Sequence, residues 1–103
     1  MALFNPVSVN IATQTSSTAT PSTVASSANS QTLLAANANR KGLTIWNDST
    51  GNLFIDFHDA VSTTEYAVKI SAGGYYEMPF GYTGIISGIW DAVNGNALVR
   101  ELV

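Results

Sequence analysis

Ile85-Ile86-Ser87-Gly88-Ile89-Trp90, followed by Asp91-Ala92-Val93-Asn94-Gly95-Asn96 and then Ala97-Leu98-Val99-Arg100-Glu101-Leu102-Val103, is the stretch whose reading decides the fold. The first run is mostly apolar and isoleucine-rich, which suits a pleated and buried strand. Gly88 inside it marks a bulge or a close approach of backbone. Asn94-Gly95 is the strongest hairpin signal in the chain, because both residues tolerate positive φ. The expectation is a hairpin that joins Ile85–Trp90 to the closing run from Ala97.

The same alternation of short runs and turns extends upstream. Leu43-Thr44-Ile45-Trp46-Asn47 reads as a strand, closed by the turn cluster Asp48-Ser49-Thr50-Gly51. Asn52 to Phe57 places Leu53, Ile55 and Phe57 on one face, with Phe54, Asp56 and His58 on the other. Glu65 to Ile70 sets Tyr66, Val68 and Ile70 against Ala67 and Lys69. Gly73-Gly74 supplies positive φ for a tight turn before Tyr75 to Phe80. Gly81-Tyr82-Thr83-Gly84 is another turn. Thr32 to Asn39 reads either as a helical turn or as a strand ending in a turn. Turn signals thus recur roughly every 8–12 residues, the spacing of a β-sandwich or barrel. The predicted class is all-β: a small antiparallel β-sandwich, jelly-roll-like, with an extended N-terminal arm. Jelly-roll and immunoglobulin-like sandwiches share this spacing.

The arm is a matter of composition. Residues 1–39 carry no charged side chain; Arg40 is the first. From Thr13 to Thr32, 12 of 20 residues are Ser or Thr, and of the aromatics only Phe4 precedes Arg40. In Val7-Ser8-Val9-Asn10-Ile11 the apolar residues alternate, as in a half-buried strand. Pro21 is a break. The boundary is placed at residue 30, giving an arm over 1–30 and a sandwich over 31–103. The arm is expected to be ordered by pairing, with its own domain or with a neighbouring subunit. Phe4, Val7, Val9 and Ile11 are its candidate contact residues.

Composition excludes much chemistry. The chain has 103 residues, with 4 Lys+Arg against 7 Asp+Glu, a net charge of −3. Four cations make no basic stripe, so no nucleic-acid partner is expected. No cysteine means no disulfide scaffold and no thiolate site. No apolar run is long enough to span a membrane as a helix, and the N-terminus does not read as a signal peptide. A sandwich of this size, without disulfides, gains from oligomerisation, so a homo-oligomer is expected, with a trimer preferred.

Candidate chemistry is sparse. Asp56 and His58 alternate onto one strand face, where a carboxylate can orient an imidazole for base catalysis. No nucleophile is signposted and no G-x-S-x-G elbow exists. Solvent-facing polar residues at a strand end are the plainer reading, and the chain is read as not an enzyme. Asp56, His58 and Asp59, with Glu65 or Glu77, lack the spacing of a zinc site or a calcium loop, so no metal or cofactor is expected. The glycine pairs are turns, since no P-loop lysine follows. Arg40-Lys41 is the only basic pair: a salt bridge to a neighbouring subunit, or a solvated turn. Trp46, Trp90, Tyr75, Tyr76 and Tyr82 suggest a sugar-binding face or, more simply, core and interface aromatics. Arg40, Lys41, Trp46 and Trp90 complete the candidate interface.

Leu34-Ala35-Ala36-Asn37-Ala38-Asn39-Arg40-Lys41-Gly42-Leu43-Thr44-Ile45-Trp46-Asn47 resembles a pattern common in small tailed-bacteriophage virion proteins. Ala72-Gly73-Gly74, the corner Pro79-Phe80-Gly81-Tyr82-Thr83-Gly84 and the closing strand rich in Val and Leu are similar to the same group. The resemblance covers residues 31–103. It implies a β-sandwich of the capsid cement (decoration) type, often trimeric, which is made in the host cytoplasm. Such a protein binds the major capsid protein on the outer surface of the virion and braces its capsomers. A receptor- or carbohydrate-binding module of a fibre or tail is the alternative, and a head–tail connector component is another.

Overall fold

The computed structural model of the chain describes residues 15–103. Its strands are β1 (Ala19–Ala25), β2 (Gln31–Leu34), β3 (Gly42–Asp48), β4 (Leu53–Asp56), β5 (Val68–Ile70), β6 (Tyr75–Glu77), β7 (Ile86–Trp90) and β8 (Asn96–Leu102). They form two four-stranded sheets in the orders β1-β8-β3-β6 and β2-β7-β4-β5. Every pairing is antiparallel. First pairs with last, second with seventh, third with sixth, fourth with fifth. This nesting is a long hairpin rolled over on itself, the wrap of a jelly roll.

Alternation along the strands decides what lies between the sheets. In β3, Leu43, Ile45 and Asn47 point inward and are buried, while Thr44, Trp46 and Asp48 point out. Ala97 and Val99 of β8 join them from the same sheet. Leu53 and Ile55 of β4, Ile86 and Trp90 of β7, Leu33 and Ile70 come from the other. Gly88 faces this core: a Cβ there would lie 2.9 Å from Leu33 Cδ1 and 3.0 Å from Leu53 Cδ1. The β2–β7 register shifts between Thr32 and Leu34, beside the same glycine. The close approach is thus at Gly88 itself, whereas the bulge lies on the partner strand at Leu33.

The expected hairpin at Asn94-Gly95 does not form. β7 and β8 belong to different sheets, so residues 91–95 arch across the sandwich. A type I′ turn needs positive φ at both central residues. Only Gly95 has it, at 74°; no non-glycine residue does among the described residues. Asn94 is otherwise engaged, its Oδ1 accepting from Thr50 N–H at 2.9 Å and from Thr50 Oγ1 at 2.7 Å. The arch is thereby fastened to the β3–β4 turn. Gly95 itself is irreplaceable by geometry, since a Cβ would run into the Asp48 carbonyl and lie 2.7 Å from Ser49 Cα. Gly73 shares its φ of 74° but opens onto free space. Gly73→Ala is expected to cost about 1–2 kcal/mol from the left-handed backbone alone. Gly95→Ala adds the clash and should cost about 1–3 kcal/mol more. Urea denaturation of both variants checks this, and equal losses would contradict it.

The described part of the arm pairs with its own domain, one of the two expected alternatives, but the boundary at residue 30 differs from expectation. Residues 19–25 form β1 and pair along their whole length with β8, from Ala19↔Leu102 to Ala25↔Asn96. A sandwich beginning at residue 31 would lack one of its own strands. Pro21 does not break this strand. Val103 N–H donates to Thr18 and Ser26 N–H donates to Gly95. Even-numbered residues of β1 thus face β8 with their backbone groups. Pro21 is odd, so its missing N–H falls on the unpaired side of an edge strand, where proline is tolerated and discourages stray pairing. Phe4, Val7, Val9 and Ile11 lie outside the described residues. Elsewhere the strands are shorter than the alternation suggested: Glu65–Ile70 narrows to β5, and Tyr75–Phe80 narrows to β6 ahead of Pro79. The ambiguous Thr32–Asn39 contains the end of a strand, β2.

Candidate functional site

The two outer faces of the sandwich are treated differently by the chain. On the β2-β7-β4-β5 sheet, Phe54 and Ile89 point outward and are capped by Val61 into a small buried cluster. Val61 N–H donates to Ser30 Oγ at 3.1 Å, and Ala67 N–H to the Ile55 carbonyl at 2.8 Å, which holds the β4–β5 connection down. Tyr66 sets its ring edge-on to Phe54 at 4.7 Å, and Lys69 Nζ lies 5.7 Å from the Phe54 centroid. That face is closed by its own loop. No such buried cluster lies on the outer face of the β1-β8-β3-β6 sheet among the described residues.

Register places two rows of side chains on this open face. One row runs Thr23, Leu98, Trp46, Tyr75, each directly opposite the next across the sheet. The other runs Pro21, Arg100, Thr44, Glu77. Trp46 is 47% exposed and Tyr75 54%, with ring centroids 6.3 Å apart and planes tilted by 56°. Thr44, Trp46, Tyr75, Leu98 and Arg100 enclose a shallow hollow of about 270 Å³. Tyr75 Oη–H donates to Glu77 Oε2 at 3.2 Å. Desolvation first, then the Glu77 charge and that hydrogen bond, hold the Tyr75 phenol above its usual 10.0. It is therefore a neutral donor. Arg100 Nη1 donates to the Val99 carbonyl at 3.1 Å, which fixes the guanidinium and leaves most of its N–H groups free. Leaving two aromatic rings half in water forgoes roughly 5 kcal/mol of burial, at about 25 cal/mol per Å² over ~200 Å². A face with that cost is a candidate contact surface.

The sequence candidates fall in several places. Trp46 lies in the site. Trp90 does not: it is 1% exposed, packed in the core, with an indole N–H that finds no partner among the described residues. It is buried in the core, so it is not part of an exposed interface. Arg40 is neither a solvated turn residue nor a surface cation. It is 2% exposed, with Nε donating to Glu101 Oε2 at 2.8 Å and Nη1 to the carbonyls of Gly84 at 2.8 Å and Tyr82 at 3.1 Å. Nη2 donates to the Ala35 carbonyl. Its salt bridge is within the chain. Lys41 is exposed just before β3, its N–H donating to the Leu102 carbonyl at 2.7 Å.

Asp56 and His58 line a second hollow, with Ala60, Val61, Ser62 and Glu65. They do not pair. Asp56 Oδ1 accepts from Phe57 N–H at 2.9 Å, and His58 Nδ1 lies 2.8 Å from Asp59 Oδ1. β4 ends at Asp56, so the strand alternation expected to align the two stops two residues short of His58. The His58–Asp59 contact is largely in solvent, where such pairs contribute little. No group of three or more potential ligands is arranged for a metal among the described residues.

Tyr75 was one aromatic among several in the sequence and Glu77 was weighed only as a metal ligand; Thr44, Leu98 and Arg100 carried no signal of their own. Trp46 did. It is out of phase with Leu43 and Ile45, so the strand that buries those must expose it. The residues beside it come from β6 and β8, and only the pairing register brings them together. No protein-family model, curated protein or solved structure matches this chain.

Proposed function

We propose that this chain is a structural virion protein of the capsid cement type, which binds the outer face of a phage capsid and braces the capsomers of its major capsid protein. The observation that carries this reading is the position of β1. It is an edge strand, and the uncharged, alternating segment Val7-Ser8-Val9-Asn10-Ile11 precedes it in the chain. An alternating uncharged segment joined to a sheet edge is suited to adding as a strand to a neighbouring protein. The sparse charge of the chain and its net −3 favour a protein partner over packaged DNA. A self-associating trimer on the particle is part of the same proposal.

The test is removal of residues 1–14. A cut at residue 30 would strip β1 from β8 and confuse binding with folding. The shorter cut spares Ser16, whose Oγ donates to the Val103 carbonyl at 2.6 Å. The truncated chain should keep its melting temperature and lose most of its co-sedimentation with capsids that lack the protein. Unchanged attachment would refute the role of the arm.

A further inference from the structure

We infer that the hollow on the open face is a binding site for a neutral pyranose unit of a glycan, a function separate from capsid attachment. Its chemistry is divided by register into two adjacent rows. Leu98, Trp46 and Tyr75 form an apolar row, and Arg100 and Thr44 a polar one, which Glu77 continues next to Thr44 just outside the hollow's lining. A pyranose has the same division: a C–H face that lies against aromatic rings, and an edge of hydroxyls that donate and accept together.

The polar row matches that edge group by group. Arg100 only donates, Glu77 accepts, and Thr44 between them does either. The single positive and single negative charge cancel along the row. This disfavours anionic chains such as nucleic acid or polyuronate, and favours a ligand that is polar without being charged. The groups are also fixed in advance. Arg100 is tethered to the Val99 carbonyl and Glu77 receives the Tyr75 hydroxyl, so less ordering remains to be done on binding. The volume of about 270 Å³ is just under the ~300 Å³ where drug-sized pockets begin, and suits one sugar ring rather than a peptide segment. The site lies open to solvent, as recognition of one unit within a chain requires.

Trp46 reports directly on the site, because Trp90 is sealed in the core. The full-length chain is applied to an array of neutral hexose oligosaccharides, with uronate- and sialate-bearing ones alongside, and positives are titrated by tryptophan fluorescence. Binding to neutral glycans with a shift in Trp46 emission is expected. Trp46→Ala and Tyr75→Ala should each weaken it about tenfold or more, while Trp46→Phe should retain part of it. Arg100→Gln should weaken it with no change in melting temperature. The chain lacking residues 1–14 should bind sugars as the full chain does, so this site and the arm fail separately. No array signal, a preference for acidic glycans, or binding untouched by Trp46→Ala would overturn the proposal. Loss of self-association or of capsid binding in Trp46→Ala, without sugar binding by the parent, would assign the face to a protein instead.

Discussion

Arg40→Ala is expected to lower the stability of the sandwich by about 3–5 kcal/mol. The side chain is buried and its guanidinium serves four acceptors drawn from separate parts of the chain: Ala35, Tyr82, Gly84 and Glu101. Removing it strands the Glu101 carboxylate, whose side chain is 14% exposed, and leaves three carbonyls without that donor. It also unties the β2–β3 connection from the corner before β7 and from β8. For a domain of about 100 residues the melting temperature should fall by roughly 15–30 °C. Arg40→Lys should recover only part of this, since an ammonium cannot reproduce the planar fork. Glu101→Gln, which keeps an acceptor, should cost less than Arg40→Ala. Calorimetry of the three variants checks the order. A loss below about 1 kcal/mol in Arg40→Ala would mean an exposed pair and not a buried staple.

Asn47→Ala is the second, with an expected loss of about 2–4 kcal/mol. Asn47 has no exposed surface, yet its amide is fully used. Nδ2 donates to the carbonyls of Ile70 at 2.8 Å, Gly51 at 2.9 Å and Ser71 at 3.1 Å. Oδ1 accepts from Ser49 Oγ at 2.7 Å. The backbone joins in: Asn47 N–H donates to Gly74 and its carbonyl accepts from Gly73. One residue thereby links β3 to the end of β5 across the sandwich, and to the turns on either side. Asn47→Asp should be worse than alanine at neutral pH. It aims a carboxylate oxygen at carbonyls that had received N–H groups, and charge is costly where no water reaches. Its loss should shrink as acid protonates the new carboxyl. An Asn47→Asp variant as stable as the parent at pH 7 would refute this assignment.

The strands were legible in the sequence because burial on one face imposes a period of two. Leu43, Ile45 and Asn47, or Leu53 and Ile55, are visible as one face without any knowledge of partners. Partners were not legible. β1 and β8 stand at opposite ends of the described chain, and nothing local in Ala19–Ala25 points to Asn96–Leu102. Asn94-Gly95 misled for a physical reason: its local preference is real, but the side chain of Asn94 is held by Thr50, and that contact exists only once the sandwich has formed. Arg40 misled in the same way. Beside Lys41 and a run of Asn and Ala it has the surroundings of a solvated turn, and its four acceptors are gathered by the fold. The open face was half legible. The phase of β3 exposes Trp46, whereas Tyr75, Arg100 and Glu77 become its neighbours only through register.

The cement proposal is tested most directly by the copy number of this chain in purified virions, measured by quantitative mass spectrometry against the major capsid protein. A protein that braces capsomers over the whole shell must be present in amounts comparable to the shell subunit itself, and that is the predicted result. A far smaller number, fixed by a single vertex or tail, or absence from the particle, would contradict the account.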